Sequence, residues 1–136
     1  MSEVQERPEG LGRRAIHEFD PLSCKVIAAA LAVHRTLGPG FLESIYQNAM
    51  CVALTNRSIQ FETEKAVAVK FEGMEVGIHK LDLVAGNEIV IELKAVKEVV
   101  EIHRNQLLSY LKASNLKIGL LINFNSVPFF IKRVVN

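Results

Sequence analysis

Apolar positions change their period three times along the chain, and the changes predict its elements. Asp20-Pro21 has the form of an N-cap and first helical position, after which Val26, Ala30, Val33 and Leu37 recur at helical spacing until Gly38-Pro39-Gly40 stops them. A second helix is expected over 42–56, with Leu42, Ile45, Ala49 and Val52 as its buried stripe. From Ile59 the period becomes two. Val67 and Val69 alternate with Ala66, Ala68 and Lys70, Gly73 breaks the run, and residues 74–84 resume it, which reads as a hairpin. Ala85-Gly86-Asn87 turns the chain into a third antiparallel strand over 88–95, rich in β-branched residues and suited to cover on both faces.

Helical spacing returns over 101–114 through Ile102, Leu107, Leu108 and Leu111, with Asn115 as C-cap. Residues 117–124 and 129–134 form the last strands. The order ααβββαββ predicts an α/β (α+β) domain with a mixed β-sheet flanked by helices, the late helix crossing over to a parallel neighbour. Residues 1–19 mix charge with Pro and Gly and lack an apolar period, so they are expected to be a flexible arm whose end, 15–19, packs on the single domain of 20–136.

The 136 residues, 49% hydrophobic and 7% aromatic, suit one such domain with a substantial core. Cys24 and Cys51 stand in apolar helical patterns without CxxC or Cys/His clustering, as buried thiols of a reducing cytoplasm do. The first residues are acidic where a signal peptide is basic, and IGLLINF is too short to span a bilayer, so the expectation is a soluble, cytoplasmic protein with no membrane partner. The whole chain carries net +1; from Pro21 onward thirteen Lys/Arg and ten Asp/Glu leave +3. That charge is too small to argue for or against nucleic acid.

Candidate chemistry lies in the third strand. Strand alternation puts Val90, Glu92 and Lys94 on one face and Ile89, Ile91, Leu93 and Ala95 on the other; in the preceding strand Lys80 and Asp82 share one face, Leu81 and Leu83 the other. The turn at 85–87 can bring Asp82 beside Glu92. Two adjacent carboxylates repel unless a cation lies between them, and all-oxygen ligands suit a hard divalent ion such as Mg²⁺. Lys94 beside that ion could orient an attacking water and offset phosphate charge. A solvated edge-strand pair at Glu92 and Lys94, with Asp82 in a turn, is the alternative reading.

Asp82, nine intervening residues and Glu92-Leu93-Lys94 resemble the D-(x)n-(D/E)-x-K signature of the PD-(D/E)XK nuclease superfamily, although Leu81 stands where its label has proline. Gly40-Phe41-Leu42-Glu43-Ser44-Ile45-Tyr46 resembles the motif of the GxxExxY protein family, a bacterial and archaeal branch of that superfamily. VHRTLGPGFLESIY, LDLVAGNEIVIELKAV and QLLSYLKASNLKIGLLINF carry the likeness over residues 22–133. It implies a restriction-endonuclease-like core and a metal-dependent nuclease acting on nucleic acid, DNA foremost, with Mg²⁺ or Mn²⁺. The implied catalytic set is Asp82, Glu92, Lys94, Gln106, Glu43 and Tyr110; the implied metal ligands are Asp82, Glu92, Glu43 and the Leu93 backbone carbonyl.

Gln106 and Tyr110 form QxxxY, which resembles the fourth motif of exonuclease-type members, where amide and phenol hold the site and the strand. Glu43 is a third carboxylate for the metal or a favourable acid at a helix N-terminus. Tyr46 is a core aromatic or a phosphate contact, His34 a metal ligand or a cap on the first helix, His103 a cleft or surface residue. Lys97, Arg104 and Lys112 are placed around the cleft as phosphate contacts or solvated charges. Two other readings stand beside the enzyme: a noncatalytic nucleic-acid or protein-binding module on the same fold, and a homodimer formed through an apolar edge made by IGLLINF and PFFIKRVV.

Overall fold

A computed structural model describes residues 20–136; the N-terminal arm and the packing expected of 15–19 lie outside the described residues. Helix α1 spans Pro21–Leu37 and α2 Glu43–Asn56, followed by β1 (Phe61–Phe71), β2 (Met74–Ala85), β3 (Ile89–Lys94), α3 (Glu101–Ser114), β4 (Ile118–Asn123) and β5 (Phe130–Val135). The order is the expected ααβββαββ. One sheet runs β1-β2-β3-β4-β5, antiparallel everywhere except the β3–β4 pair, where α3 makes the crossover that parallel strands require.

Local chemistry sets the ends. The Asp20 carboxylate accepts the Ser23 backbone N–H at 3.0 Å and opens α1, with Pro21 behind it. Gly38, at φ 67°, closes the helix by donating its N–H to the His34 carbonyl. Asn115 ends α3 in the left-handed conformation, as its residue type allows.

Two apolar clusters lie on opposite faces of the sheet. Val26, Ile27, Ala30 and Val33 of α1 and Tyr46, Met50 and Leu54 of α2 pack with Leu83, Ile89, Ile91, Leu93, Leu120 and Ile122. Leu107 and Leu111 of α3 pack with Val67, Leu81, Val84, Val90, Leu121, Phe130 and Val134. Gly119 is small because α3 lies directly on it: a Cβ there would stand 2.9 Å from a Leu107 methyl.

Three expectations are corrected. The buried stripe of α2 is Tyr46, Met50, Ala53 and Leu54, one residue on from the predicted one; Leu42 and Val52 are exposed. That helix has apolar residues on more than one face, and Tyr46 can take the inner one because its hydroxyl donates to the Gly38 carbonyl and accepts the Phe41 N–H. Leu81 and Leu83 do not share a cluster, because the ladder breaks between them. Opposite Asp82, Glu64 adopts φ 51° and drops out of the β1–β2 pairing, which defeats simple alternation. The segment IGLLINF offers no edge, since β4 is paired on both sides; β5 is the edge strand, and its Phe130, Ile131 and Val134 are buried.

Candidate active site

The β2–β3 pairing ends at Leu83 and Ile91, and beyond it the Asp82 side chain takes the place of a ladder contact. Its Oδ2 accepts the Leu93 backbone N–H at 2.9 Å, pinning the carboxylate across the β2–β3 seam. Gln47 of α2 spans the same bend, its Nε2 lying 3.1 Å from Glu64 Oε2 and 3.4 Å from the Asp82 carbonyl. From β3, Glu92 enters the interior at 6% exposure. Its Oε2 stands 3.9 Å from Lys94 Nζ, a loose ion pair, while its Oε1 is buried with no hydrogen-bond partner.

An unpartnered buried carboxylate oxygen is costly, and its ionisation responds. Burial, reinforced by the Asp82 charge, pushes the Glu92 carboxyl up to about 8, against the opposing attraction of Lys94. The Asp82 carboxyl is also raised, by burial first and by the Glu64 charge, with the Leu93 N–H acting against the shift. Glu43, in the first turn of α2, is raised by burial and then by Asp82, with Lys94 and the Ala95 backbone N–H opposing. These mutual effects place Glu43, Asp82, Glu92 and Lys94 in one electrostatic neighbourhood.

Helix α3 closes the other side. Tyr110 stacks on His79 with centroids 3.7 Å apart and planes 13° from parallel, and burial together with the Glu92 and Asp82 charges raises its phenol. Gln106 lies one turn earlier, half-buried. His103 accepts the Val100 backbone N–H at its Nδ1, 3.0 Å away, thereby capping its own helix; burial and the Lys94 charge hold its imidazole below the usual range.

The exit of β3 is fixed by a residue without any motif to mark it. Asn123, fully buried at the end of β4, accepts the Val96 N–H and donates to the Val96 carbonyl and to Ser126 Oγ, while the Lys94 carbonyl accepts the Phe124 N–H at 2.9 Å. The backbone bearing Lys94 is therefore held from both directions. His79 is the other unanticipated participant: its ring is sandwiched against Tyr110, and its Nε2 is buried without a partner. A polar residue on the covered face of a hairpin strand was the available signal.

Other candidates are positioned differently. Among the described residues no group of three or more His, Cys, Asp or Glu side chains stands close enough together to hold a metal ion as the site is arranged here. Glu43 itself stands in the exposed first turn of α2. His34 serves the fold: Nε2 donates to the Ser126 carbonyl at 2.9 Å and the ring packs on Phe129. Tyr46 is fully buried, stacked on Phe124 at 4.7 Å, and its hydroxyl clamps the Gly38–Phe41 turn rather than meeting a phosphate. Arg104 pairs with Glu101 at 3.8 Å. Lys97 lines a cavity with Asn125 and Val127, and Lys112 one of ≈ 590 Å³ with Lys70 and Ser109.

A mixed five-stranded sheet flanked by helices, with an acid pair and a lysine on adjoining central strands, defines the restriction-endonuclease-like class of fold. The chain belongs to the PD-(D/E)XK nuclease superfamily, whose family model matches residues 20–134. No curated protein and no solved structure matches the chain significantly. Among the described residues no helix is long and apolar enough to cross a membrane.

Proposed function

We propose that the protein hydrolyses phosphodiester bonds of nucleic acid, DNA foremost, with Mg²⁺ or Mn²⁺ held by Asp82 and Glu92 and the Leu93 backbone carbonyl. One observation carries the reading: Glu92 Oε1 is buried, unpartnered and beside a second carboxylate. An isolated protein gains nothing from that arrangement, whereas a hard divalent ion, which takes oxygen ligands and offsets both charges, makes it favourable. Such an ion supplies Lewis-acid stabilisation of the charge that develops on phosphate.

The remaining roles fall to the protein's own groups. The Lys94 ammonium orients the attacking water and faces the phosphate; its backbone is fixed by Phe124 and by the Asn123 clamp on the following Val96. Gln106 and Tyr110 of α3 hold the nucleic-acid strand against the site, with the Tyr110 ring orientation set by His79. Glu43 contributes negative charge from the exposed first turn of α2, where it can act on the cation through water.

The test is cleavage of single-stranded, duplex and branched DNA and RNA with and without Mn²⁺, using Glu92→Gln and Lys94→Ala as controls. Metal-stimulated cleavage lost in both variants supports the assignment. Binding that persists without metal, is indifferent to Asp82→Ala and is unaccompanied by cleavage would instead identify a noncatalytic module on this fold.

A further inference from the structure

Glu64 holds a backbone conformation that its residue type disfavours. Among the described residues the other non-glycine positions with positive φ are Ser58, Glu72, Asn87 and Asn115, all in turns or at a helix end, where such angles are common. Glu64, at φ 51°, lies inside β1. Its neighbours Thr63 and Lys65 pair with Leu83 and Leu81, while Glu64 drops out of the ladder opposite Asp82. Glycine would take this angle without strain and would serve for a simple irregularity in the strand. A glutamate kept there points to a use for its side chain.

That use is a hydrogen bond to the helix layer. Gln47 of α2 donates from Nε2 to Glu64 Oε2 at 3.1 Å and lies 3.4 Å from the Asp82 carbonyl, so one amide ties α2, β1 and β2 together across the break. Neither residue belongs to the GxxExxY, D…ExK or QxxxY pattern. In a regular strand Leu81 and Leu83, two apart, would share a face; here Leu81 packs with Leu107 and Leu111 of α3, and Leu83 with the α1 and α2 cluster. The change of face falls at Asp82, whose carboxylate turns to β3 and accepts the Leu93 N–H at 2.9 Å.

We propose that Gln47 and Glu64 are positioning residues: their hydrogen bond holds the ladder open opposite Asp82 and so aims the Asp82 carboxylate at the Leu93 N–H and at the cation it would share with Glu92. The aim at Leu93 stands without the nuclease reading, and the aim at the cation rests on it, so the two are measured apart. Amide hydrogen exchange on the metal-free full chain reads the first. Gln47→Ala and Glu64→Ala are each expected to speed exchange at the Leu93 N–H by about tenfold or more, while amides of the β4–β5 ladder keep their protection. Glu64→Gly suits the left-handed angle, so it is expected to melt no lower than the wild type and still to lose the Leu93 protection. Glu64→Gln keeps an acceptor for the Gln47 amide and removes only the charge; Leu93 should exchange at the wild-type rate.

Titration calorimetry with Mn²⁺ reads the second part. Gln47→Ala and Glu64→Gly are expected to weaken binding by about tenfold or more, as the loss of a group that orients a ligand does, and Glu64→Gln by much less. Unchanged Leu93 exchange in Gln47→Ala and Glu64→Gly overturns the proposal. Equal losses of affinity in Glu64→Gln and Glu64→Gly also overturn it, because the carboxylate would then act through its charge. A wild-type chain that binds no Mn²⁺ counts against the nuclease reading alone, and Leu93 exchange still decides the positioning role.

Discussion

The carboxylate of Asp82 accepts the backbone N–H of Leu93 at 2.9 Å, so one candidate metal ligand is also a structural link between β2 and β3. The two roles separate by substitution. Asp82→Ala leaves the Leu93 N–H without its acceptor and should destabilise the protein by about 1–3 kcal/mol. Asp82→Asn keeps an acceptor oxygen and should cost less, yet both should abolish metal-stimulated cleavage. Urea unfolding alongside a cleavage assay checks the pair, and equal stability loss in the two variants would contradict the linking role.

Glu92 makes stability depend on pH in a direction opposite to that of an ordinary salt-bridged acid. Its carboxyl is pushed up to about 8 in the fold from an ordinary value of 4.5, so between those values the folded state binds more protons than the unfolded chain. Metal-free protein is therefore expected to lose stability as pH rises from about 4.5 through 8, by an amount on the order of a few kcal/mol. Glu92→Gln should flatten the profile, and saturating Mg²⁺ or Mn²⁺ should do the same by replacing the proton. Thermal melts across that range read this out, and a profile unchanged in Glu92→Gln would remove the carboxyl from the explanation.

Lys94 and Glu92 are 3.9 Å apart, and with the Glu92 carboxyl pushed up to about 8 the pair is not fully ionised at neutral pH, so the contact contributes little to folding. Lys94→Ala should consequently fold normally and lose roughly 10²–10³-fold in cleavage rate, the scale on which a transition-state charge partner acts. It should also move the Glu92 titration further upward, since Lys94 is the cation that opposes the shift. Carbon-detected NMR of the carboxyl groups would show that displacement independently of catalysis.

Tyr46 lies in the signature heptapeptide, but its hydroxyl is occupied by Gly38 and Phe41. Tyr46→Phe is expected to cost about 1–3 kcal/mol of stability through the unsatisfied turn, with the cleavage rate of the surviving folded protein little changed. A selective loss of rate at full stability would return Tyr46 to the site.

His79 offers a cleaner separation. Its Nε2 makes no hydrogen bond and its ring packs on Tyr110, so His79→Phe should preserve the stack and retain cleavage, whereas His79→Ala should raise KM by freeing the phenol. Loss of activity in His79→Phe would assign the nitrogen itself a role.

Where residues announce themselves through backbone chemistry, the sequence was legible. Asp20-Pro21, Gly38 and Asn115 mark helix ends by conformational preference, and the period-two run of β3 puts Glu92 and Lys94 on one face by alternation alone. Legibility failed where a tertiary contact decides. The inner face of α2 depends on whether the Tyr46 hydroxyl finds a partner, which only the Gly38 carbonyl reveals. The break beside Asp82 follows from Glu64 on another strand taking a left-handed conformation. Asn123 and His34 act through loop carbonyls and amides far along the chain, and no local pattern encodes those.

The strands lie side by side in the order in which they are synthesised, and a long excursion is needed only between β3 and β4. Closing a short turn costs less chain entropy than closing the excursion through α3. Asp82 and Glu92 belong to neighbours joined by a short turn, whereas Gln106 and Tyr110 ride on the excursion. The acidic half of the candidate site is thus the cheaper half to assemble, and the half that would grip a polymer is completed only when the crossover docks.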